Sequence, residues 1–160
     1  MNMDRKINYK RLIPSILLPV LVGALAAFLT RDNFADYEEL YKPLFSPPGA
    51  VFGIVWTLLY ILMGIACYRI IQREASKPRK TRALKLYAGQ LIINFLWPII
   101  FFKLQMYTLA CLWAALLLLG VFFCWMLFEH IDKWAGRLFV PYLLWCAYAL
   151  YLSAGVALLN

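Results

Sequence analysis

Two amide side chains, Gln90 and Asn94, lie in a long apolar segment and are followed by two aromatic residues, Trp97 and Phe101. Steps of four, three and four residues place these side chains on one face of a helix. Amides buried away from water need hydrogen-bond partners, which the protein or a ligand can supply. Aromatic rings bind flat apolar molecules through stacking and edge contacts. This face therefore has the chemistry of an apolar pocket with a few polar groups.

Two other apolar segments carry aromatic residues at helical spacing. Their faces consist of Phe52, Trp56 and Tyr60 in one segment, and of Tyr142, Trp145, Ala149 and Leu152 in the other. The simplest interpretation is that these side chains pack in a core or form an aromatic belt at a membrane interface. However, Trp56 and Trp145 each lie towards the side of a long loop. An apolar pocket beneath that loop is therefore the alternative interpretation.

Groups for ordinary catalysis or metal binding are sparse. His130 is the only histidine, and its place beside Glu129 favours a solvated loop residue. The four cysteines are Cys67, Cys111, Cys124 and Cys146. They are far apart in the sequence, and no pair has the spacing of a zinc or redox motif, so small packing residues are expected. Because no glycine-rich phosphate loop or serine elbow occurs either, we expect neither a metal nor a cofactor.

The segments that must position these side chains are predicted to cross a membrane. Of the 160 residues, 64% are hydrophobic and 15% are charged, whereas a soluble domain is roughly half apolar. A transmembrane helix needs roughly 20 mainly apolar residues. Five segments qualify, at about 12–29, 48–71, 83–102, 106–128 and 138–159. The sequence therefore predicts an all-α membrane protein in which residues 1–160 form a single five-transmembrane-helix bundle.

The predicted spans have further features that bear on function. The first could be a cleaved signal peptide, but its apolar core is long and no clear cleavage site follows, so a retained helix is favoured. In the third, Pro98 is expected to bend the helix and free a backbone carbonyl. No acidic residue falls within any predicted span, which argues against an ion-coupled pump.

The distribution of lysine and arginine predicts the orientation. Thirteen of the sixteen lie in the N-terminal segment, around the connection after the second span, or in the connection after the fourth. These regions share one side of the membrane if there are five spans, so the positive-inside rule places the N-terminus inside. The net charge of +8 clusters at segment ends. We therefore expect contact with anionic membrane lipids, and no binding of nucleic acid.

The connection at about 30–47 is long and lies on the outer side, whereas the others are short. The link between the fourth and fifth spans is predicted to have about nine residues. Long loops in compact domains are often lids or binding elements. Pro48 fits the first turn of the second helix, where a missing N–H costs nothing. Pro47 is held out of the helical region by the proline that follows it, so the pair fixes where the candidate lid ends.

Several motifs, in their order and spacing, resemble those of a known family. They are Tyr37 and Leu40, Lys42-Pro43, Pro47-Pro48, Phe52, Val55-Trp56 and Leu59-Tyr60; then Gln90-Leu91, Asn94-Phe95, Trp97 and Phe101-Phe102; and finally Val140-Pro141-Tyr142-Leu143, Trp145 and Ala149. Over nearly the whole chain from the first span onwards, the sequence resembles the tryptophan-rich sensory protein/translocator protein family, also called the peripheral benzodiazepine receptor family. The similarity is to its bacterial-type members.

The resemblance implies a five-helix bundle, commonly a homodimer through the third span, that binds porphyrins such as protoporphyrin IX. Some members bind cholesterol or synthetic isoquinoline carboxamide and benzodiazepine ligands. The ligand would lie between the helices, beneath the loop that joins the first two spans. The implied ligand-binding residues are Phe52, Trp56, Tyr60, Gln90, Asn94, Trp97, Phe101, Tyr142, Trp145 and Ala149. The implied lid residues are Tyr37, Lys42, Pro43, Phe45, Pro47 and Pro48.

Three functions are consistent with this resemblance. A tetrapyrrole-binding sensory protein is favoured, and a light-dependent porphyrin-degrading enzyme and a passive transporter of porphyrin or other lipophiles are the alternatives. In the enzyme, Trp56 and Trp145 would take part, since they match the two family tryptophans implicated in that reaction. The sequence departs from many bacterial members at Asp36, where they have tryptophan, and at Phe45, where they often have tryptophan or another aromatic. The lid therefore has an altered set of rings.

Overall fold

The computed structural model of the protein describes residues 7–160, except for the side chain of Phe34. Arg5 and Lys6, which contribute to the predicted orientation, lie outside this range. The α-helices of the described chain are α1 (Tyr9–Thr30), α2 (Phe34–Glu39), α3 (Gly49–Gln72), α4 (Lys77–Pro98), α5 (Tyr107–Ile131) and α6 (Lys133–Leu159). Helix α2 is short, and the other five are long and apolar enough to cross a membrane. The predicted all-α fold with five spans is confirmed.

The five long helices pack in a closed ring in the order α1, α3, α6, α5 and α4, each making its main contacts with its two neighbours. Short connections force consecutive helices to run antiparallel. The lid and the α4–α5 turn therefore lie at one end of the bundle, and the α3–α4 and α5–α6 turns lie at the other. An aromatic cluster near the lid end includes Tyr37, Phe52, Trp97 and Phe101.

Glycine residues allow α1 to approach α3 closely. A Cβ atom at Gly64 would contact the backbone of Ile16 and would lie 2.6 Å from the carbonyl oxygen of Ser15. One at Gly23 would lie 2.5 Å from Cδ2 of Tyr60. Small residues are common at such contacts in membranes, where helices associate through packing rather than through a hydrophobic effect. Gly23 thus allows the Tyr60 ring to lie against α1.

Two predicted boundaries at the end opposite the lid are wrong. Helix α4 begins at Lys77, six residues before the predicted start at 83, because its basic first turns are polar but still favour a helix. The predicted nine-residue link between the last two spans is a single residue, Asp132. Its carboxylate accepts hydrogen bonds from the backbone N–H groups of Trp134 (2.8 Å) and Ala135 (3.1 Å). This N-cap starts α6 well before its apolar run.

At the lid end, two prolines act differently from one another. Pro48 precedes α3 as its N-cap rather than lying in the first turn, a shift of one residue from the prediction. Pro98 ends the α-helical part of α4, and the chain continues as a π-helical turn, Ile99–Lys103. The N–H of Leu104 bonds to the carbonyl of Ile99 at 2.9 Å, which is the wider spacing of a π-helix. This turn carries buried aromatic residues of the cluster near the lid.

The connection predicted as a lid loop at 30–47 is partly helical. It contains a 3-10 turn, Arg31–Asn33, and α2, followed by a non-helical segment that turns at Leu44 and Phe45 and reaches Pro48. Three side chains towards the lid end of α6 bind backbone groups of that segment. The hydroxyl of Tyr148 donates to the carbonyl of Phe45 (2.5 Å), and that of Tyr151 donates to the carbonyl of Leu44 (2.9 Å). The side-chain amide of Asn160 accepts from the N–H of Tyr41 (3.2 Å) and donates to its carbonyl (3.0 Å). The lid is thus held across the bundle against α6.

Candidate ligand-binding site

A chain of hydrogen bonds joins three helices in the middle of the bundle. The Tyr60 hydroxyl donates to Oδ1 of Asn94 at 2.6 Å, and Nδ2 of Asn94 donates to the Tyr142 hydroxyl at 2.8 Å. The Tyr142 hydroxyl in turn donates to Oε1 of Gln90 at 2.7 Å. All four side chains are buried. The two amides therefore find protein partners, which removes the cost of placing them among apolar side chains.

The main cavity of the bundle has a volume of about 200 Å³ and lies between α1, α3 and α4. Five of the ten predicted ligand-binding residues line it: Phe52, Trp56, Tyr60, Asn94 and Trp97. The helix α1 contributes Val20, Gly23, Ala24, Ala26, Ala27 and Thr30. The cavity is thus a mainly apolar and aromatic space, and the polar residues of its wall are Thr30, Thr57, Tyr60 and Asn94.

A second and much smaller cavity, of about 10 Å³, lies beneath the lid. Phe101 and Ala149 line it, together with Phe52 and Trp97, which also line the main cavity. The ring of Tyr37 occupies this region. Its centroid lies 5.9 Å from that of Phe52 and 6.1 Å from that of Phe101. The space predicted for a ligand beneath the lid is therefore filled largely by a side chain of the lid itself.

The remaining predicted residues surround these cavities without lining them. Gln90 and Tyr142 belong to the hydrogen-bond chain. The ring centroid of Trp145 lies 6.0 Å from that of Phe52. Trp145 belongs to α6, which is not a neighbour of α1 in the bundle. The structure thus brings the three predicted faces together. Trp145, however, contacts Phe52 of the cavity wall and does not line the main cavity itself.

The two tryptophans predicted to act in photochemistry have different environments. Trp56 lies in the wall of the main cavity and stacks on Tyr60 at a centroid distance of 5.6 Å. The indole nitrogen Nε1 of Trp145 is buried and has no hydrogen-bond partner in the described part of the chain, and the same is true of Nε1 of Trp97. Two buried indole N–H donors near the cavities are therefore unpaired within the described part of the chain.

The six predicted lid residues differ in their contacts. Tyr37 is buried. Pro43 packs against α6, where a Cβ atom added at Gly155 would lie 2.6 Å from Cβ of Pro43. Phe45 has a positive φ of 65° and is 87% exposed, so it lines neither cavity. Pro47 lies in the non-helical segment after the turn at Phe45, and Pro48 ends this segment.

An ion pair within the lid lies beside Tyr37. Nζ of Lys42 donates to Oε2 of Glu38 at 2.9 Å and lies 4.6 Å from the centre of the Tyr37 ring. The hydrogen bond from Lys42 lowers the pKa of the Glu38 carboxyl. Burial, assisted by the charge of Glu38, raises the pKa of the Tyr37 phenol to about 12. Tyr37 is therefore a neutral ring at any pH at which the protein would be studied.

Sequence reasoning missed the contribution of α1 to the cavity wall. That helix has no polar or aromatic face, and the four-residue spacing of its small residues Gly23 and Ala27 indicates close helix packing rather than a cavity. Thr57 and Pro98 of the wall were also missed. Among the described residues, no group of three or more His, Cys, Asp or Glu side chains is placed to hold a metal ion.

A family model and individual relatives both assign this chain to one protein family. The family model described as the TspO/MBR family matches residues 15–159. A tryptophan-rich sensory protein of Cereibacter sphaeroides is 37% identical over 100% of this chain and 95% of its own length. The tryptophan-rich protein TspO of Archaeoglobus fulgidus is 35% identical over 96% and 99%. The translocator protein of Bos taurus is 37% identical over 83% and 80%. With its five apolar helices, the chain is a multi-pass membrane protein that belongs to the TspO/MBR family.

Proposed function

We propose that this protein binds a flat lipophilic ring compound of the tetrapyrrole class, such as protoporphyrin IX, in a sensory or regulatory role. The main cavity carries the proposal, because its wall combines aromatic residues with the polar residues Tyr60 and Asn94. Apolar walls with a few convergent polar groups are typical of small-molecule sites. The names of the relatives, which include "tryptophan-rich sensory protein" and "translocator protein", support a ligand-linked role.

The size of the cavity requires that the site opens when it binds such a ligand. Its volume of about 200 Å³ is below the roughly 300–1,000 Å³ of sites for drug-sized molecules. Phe52, Trp97 and Phe102 line both cavities and so form the partition between them. A macrocycle would fit if this partition shifted and the ring of Tyr37 withdrew. The lid would then control the size of the site.

The charges around the site suggest how a porphyrin would be oriented. No charged side chain lines either cavity among the described residues. Carboxylates of a porphyrin would be poorly solvated there, since a buried charge needs a partner. They would therefore remain at the lid end, where Lys42 and Arg31 would have to leave their present ion pairs with Glu38 and Asp32 in order to bind them. The ring system would lie deeper, against Trp56 and Trp97.

The proposal is tested by titrating the purified protein with protoporphyrin IX and following tryptophan fluorescence. Ala27 lines the cavity, so Ala27→Phe should fill it and weaken binding by at least about tenfold, which is the scale of one well-placed group at roughly 1.4 kcal/mol. Ala147→Phe is the control, since Ala147 is exposed on α6 and lines neither cavity. Absence of saturable quenching in the parent, or equal weakening by both substitutions, would refute this site.

Light-dependent degradation of the bound porphyrin is the second candidate. It is favoured by the position of Trp56, whose oxidisable indole is in the cavity wall and stacks on Tyr60. Illumination of the complex with and without oxygen, followed by product analysis, separates binding from conversion. A protein that only binds would leave the porphyrin unchanged relative to illuminated free porphyrin in the same detergent.

Passive transport of a lipophile is the third hypothesis. The cavity wall includes Ala24, Ala27 and Gly53, which are exposed small residues on the membrane-spanning surfaces of α1 and α3. A ligand dissolved in lipid would meet no bulky side chain at this point. Flux of protoporphyrin across liposomes containing the protein, compared with liposomes containing Ala27→Phe, tests this function.

A further inference from the structure

A surface groove of about 520 Å³ lies at the end of the bundle opposite the lid, between the start of α4 and the end of α5. Its walls include Ser76, Arg79, Arg82, Met126, Leu127 and His130. The groove is distant along every helix from the lid and shares no residue with the two cavities of the proposed ligand site. It combines two guanidinium groups and an imidazole with apolar side chains, which is an unusual pairing for a purely solvated surface.

The two guanidinium groups of the groove are not neutralised by the described part of the chain. Neither Arg79 nor Arg82 forms an ion pair there. In contrast, the neighbouring Lys80 is used structurally, because its Nζ donates to the carbonyls of Ile71 (2.8 Å) and Arg73 (3.1 Å) at the end of α3. The cationic groups of the groove are therefore the ones left to attract an external anion.

The described acidic residues of this end do not line the groove. Asp132 binds Arg69 through both carboxylate oxygens, with distances of 3.0 Å from Nη2 to each. Glu129 packs against Gly136 of α6. Neither of these carboxylates lines the groove, and Glu74 does not line it either. The local field in the groove is therefore positive.

The apolar part of the groove continues along the membrane-spanning surface of α5. Leu119, Phe123, Met126 and His130 follow one another at steps of four, three and four residues and share one face. The first three are 56%, 54% and 37% exposed, so an open apolar stripe leads from the span to the imidazole. A free anion would gain nothing from this stripe, whereas an acyl chain attached to the anion would lie along it.

We propose that this groove binds the phosphate headgroup of an anionic phospholipid, with an acyl chain along the stripe of α5. Guanidinium groups bind phosphate oxygens in a bidentate manner, which a single lysine cannot do. The groove lies where the apolar spans end, which is the depth of lipid headgroups. Basic pockets between helices at such positions are known to hold anionic headgroups. The site is independent of the proposed porphyrin function.

The test compares lipid binding by native mass spectrometry of the full chain in a neutral detergent. The parent should retain phosphatidylglycerol in preference to phosphatidylcholine. The double substitution Arg79→Gln/Arg82→Gln should weaken phosphatidylglycerol binding by about tenfold or more, since each basic group at a membrane surface contributes noticeably to such binding. The control is Lys133→Gln/Arg137→Gln, which removes two exposed charges at the same end of the bundle but outside the groove, and it should change the affinity by less than about twofold.

Each alternative outcome of this test overturns the proposal. Equal retention of both lipids by the parent would exclude recognition of the headgroup charge, whatever the variants do. Equal weakening by the two double substitutions would show a general effect of surface charge. Displacement of phosphatidylglycerol by millimolar inorganic phosphate would show a phosphate site without use of the acyl chain. Binding of protoporphyrin IX should be the same in all three proteins, so failure here is distinguishable from failure of the porphyrin site.

Discussion

The hydroxyl of Tyr60 donates a 2.6 Å hydrogen bond to Oδ1 of Asn94, and both side chains line the main cavity. The bond joins α3 to α4 at the wall of the site. Beyond it, Tyr142 continues the chain to Gln90, which does not line the cavity. One end of this polar chain therefore faces the site, while the other end is enclosed by the protein.

This asymmetry gives a matched pair of substitutions. Asn94→Leu and Gln90→Leu each remove one amide from the same hydrogen-bond chain, so each should lower the free energy of unfolding by about 1–3 kcal/mol. Only Asn94→Leu changes the cavity wall, and it should also change ligand affinity by about 1 kcal/mol. Thermal unfolding in detergent and fluorescence titration of the folded fraction check the two effects. Unchanged affinity in Asn94→Leu would assign Asn94 a structural role alone.

The inward faces of α3, α4 and α6 could be predicted because amides and aromatic rings mark them at helical spacing. Gln90, Asn94, Trp97 and Phe101 are all buried, as their spacing indicated. The cavity itself could not be predicted, because six of the fifteen residues in its wall come from α1. Alanine and glycine on that helix have the same sequence pattern whether they pack against a neighbouring helix or line a cavity. Only the tertiary arrangement leaves space beside them.

Helix ends were less predictable than helix cores, for a physical reason. Hydropathy marks the part of a helix that meets lipid, but α4 and α6 extend beyond it. Lys77 starts α4 in a basic stretch that favours a helix without being apolar, and Asp132 starts α6 by capping it. The burial of Tyr37 beneath the lid could not be predicted either. A lid residue that fills the pocket has the same sequence pattern as one that contacts a ligand.

Substitution of Tyr37 tests whether the lid limits access to the site. Its ring packs against Phe52, Phe101 and Phe102. If this ring must withdraw before a macrocycle binds, Tyr37→Ala should speed association of protoporphyrin IX. Tyr37→Phe keeps the ring and should leave the rate near that of the parent. Stopped-flow fluorescence quenching measures both rates. Slower association with Tyr37→Ala would indicate that the ring contacts the ligand instead.

The ion pair at the other end predicts an effect of acid on stability. Burial opposes ionisation of Asp132, but the hydrogen bond from Ala135 and the pairing with Arg69 outweigh it and lower the pKa of the carboxyl. A lowered folded-state pKa means that the stabilisation is complete above the ordinary carboxyl pKa. It is lost as the pH falls below about 4. Asp132→Asn should remove this part of the acid dependence, as thermal unfolding between pH 3 and 7 would show.

A second substitution at the same position separates the cap from the ion pair. Asparagine is also a good N-cap, whereas alanine is not, so Asp132→Ala should be less stable than Asp132→Asn by about 1 kcal/mol. Equal stability of the two variants would mean that the hydrogen bonds to Trp134 and Ala135 contribute little. In that case the ion pairs of Asp132 with Arg69 and Arg73 would account for the effect.

The proposed homodimer through α4 can be tested by cysteine cross-linking in membranes. Ile92 on α4 is 62% exposed and Leu144 on α6 is 65% exposed, so both are accessible on the outside of the bundle. In a background with Cys111→Ser, Ile92→Cys should form a disulfide-linked dimer and Leu144→Cys should not. The buried cysteines are shielded from such reaction. Cross-linking through position 144 but not 92 would place the contact on α6.

Replacement of Trp56 and Trp145 tests the photochemical hypothesis most directly. Phenylalanine keeps much of the packing, and stacking on a ring contributes about 0.5–1.5 kcal/mol beyond area burial, so both variants should still bind protoporphyrin IX. Trp56→Phe should lose most light-dependent conversion because Trp56 lines the cavity. Trp145→Phe should lose less, because Phe52 separates Trp145 from that space.

The control is Trp134→Phe, which changes an exposed tryptophan near the opposite end of the bundle and should convert porphyrin at the parent rate. Decay of bound porphyrin under illumination, followed by absorbance, gives the rates. Equal decay in the parent and in the Trp56→Phe/Trp145→Phe double variant would leave a binding protein without photochemistry.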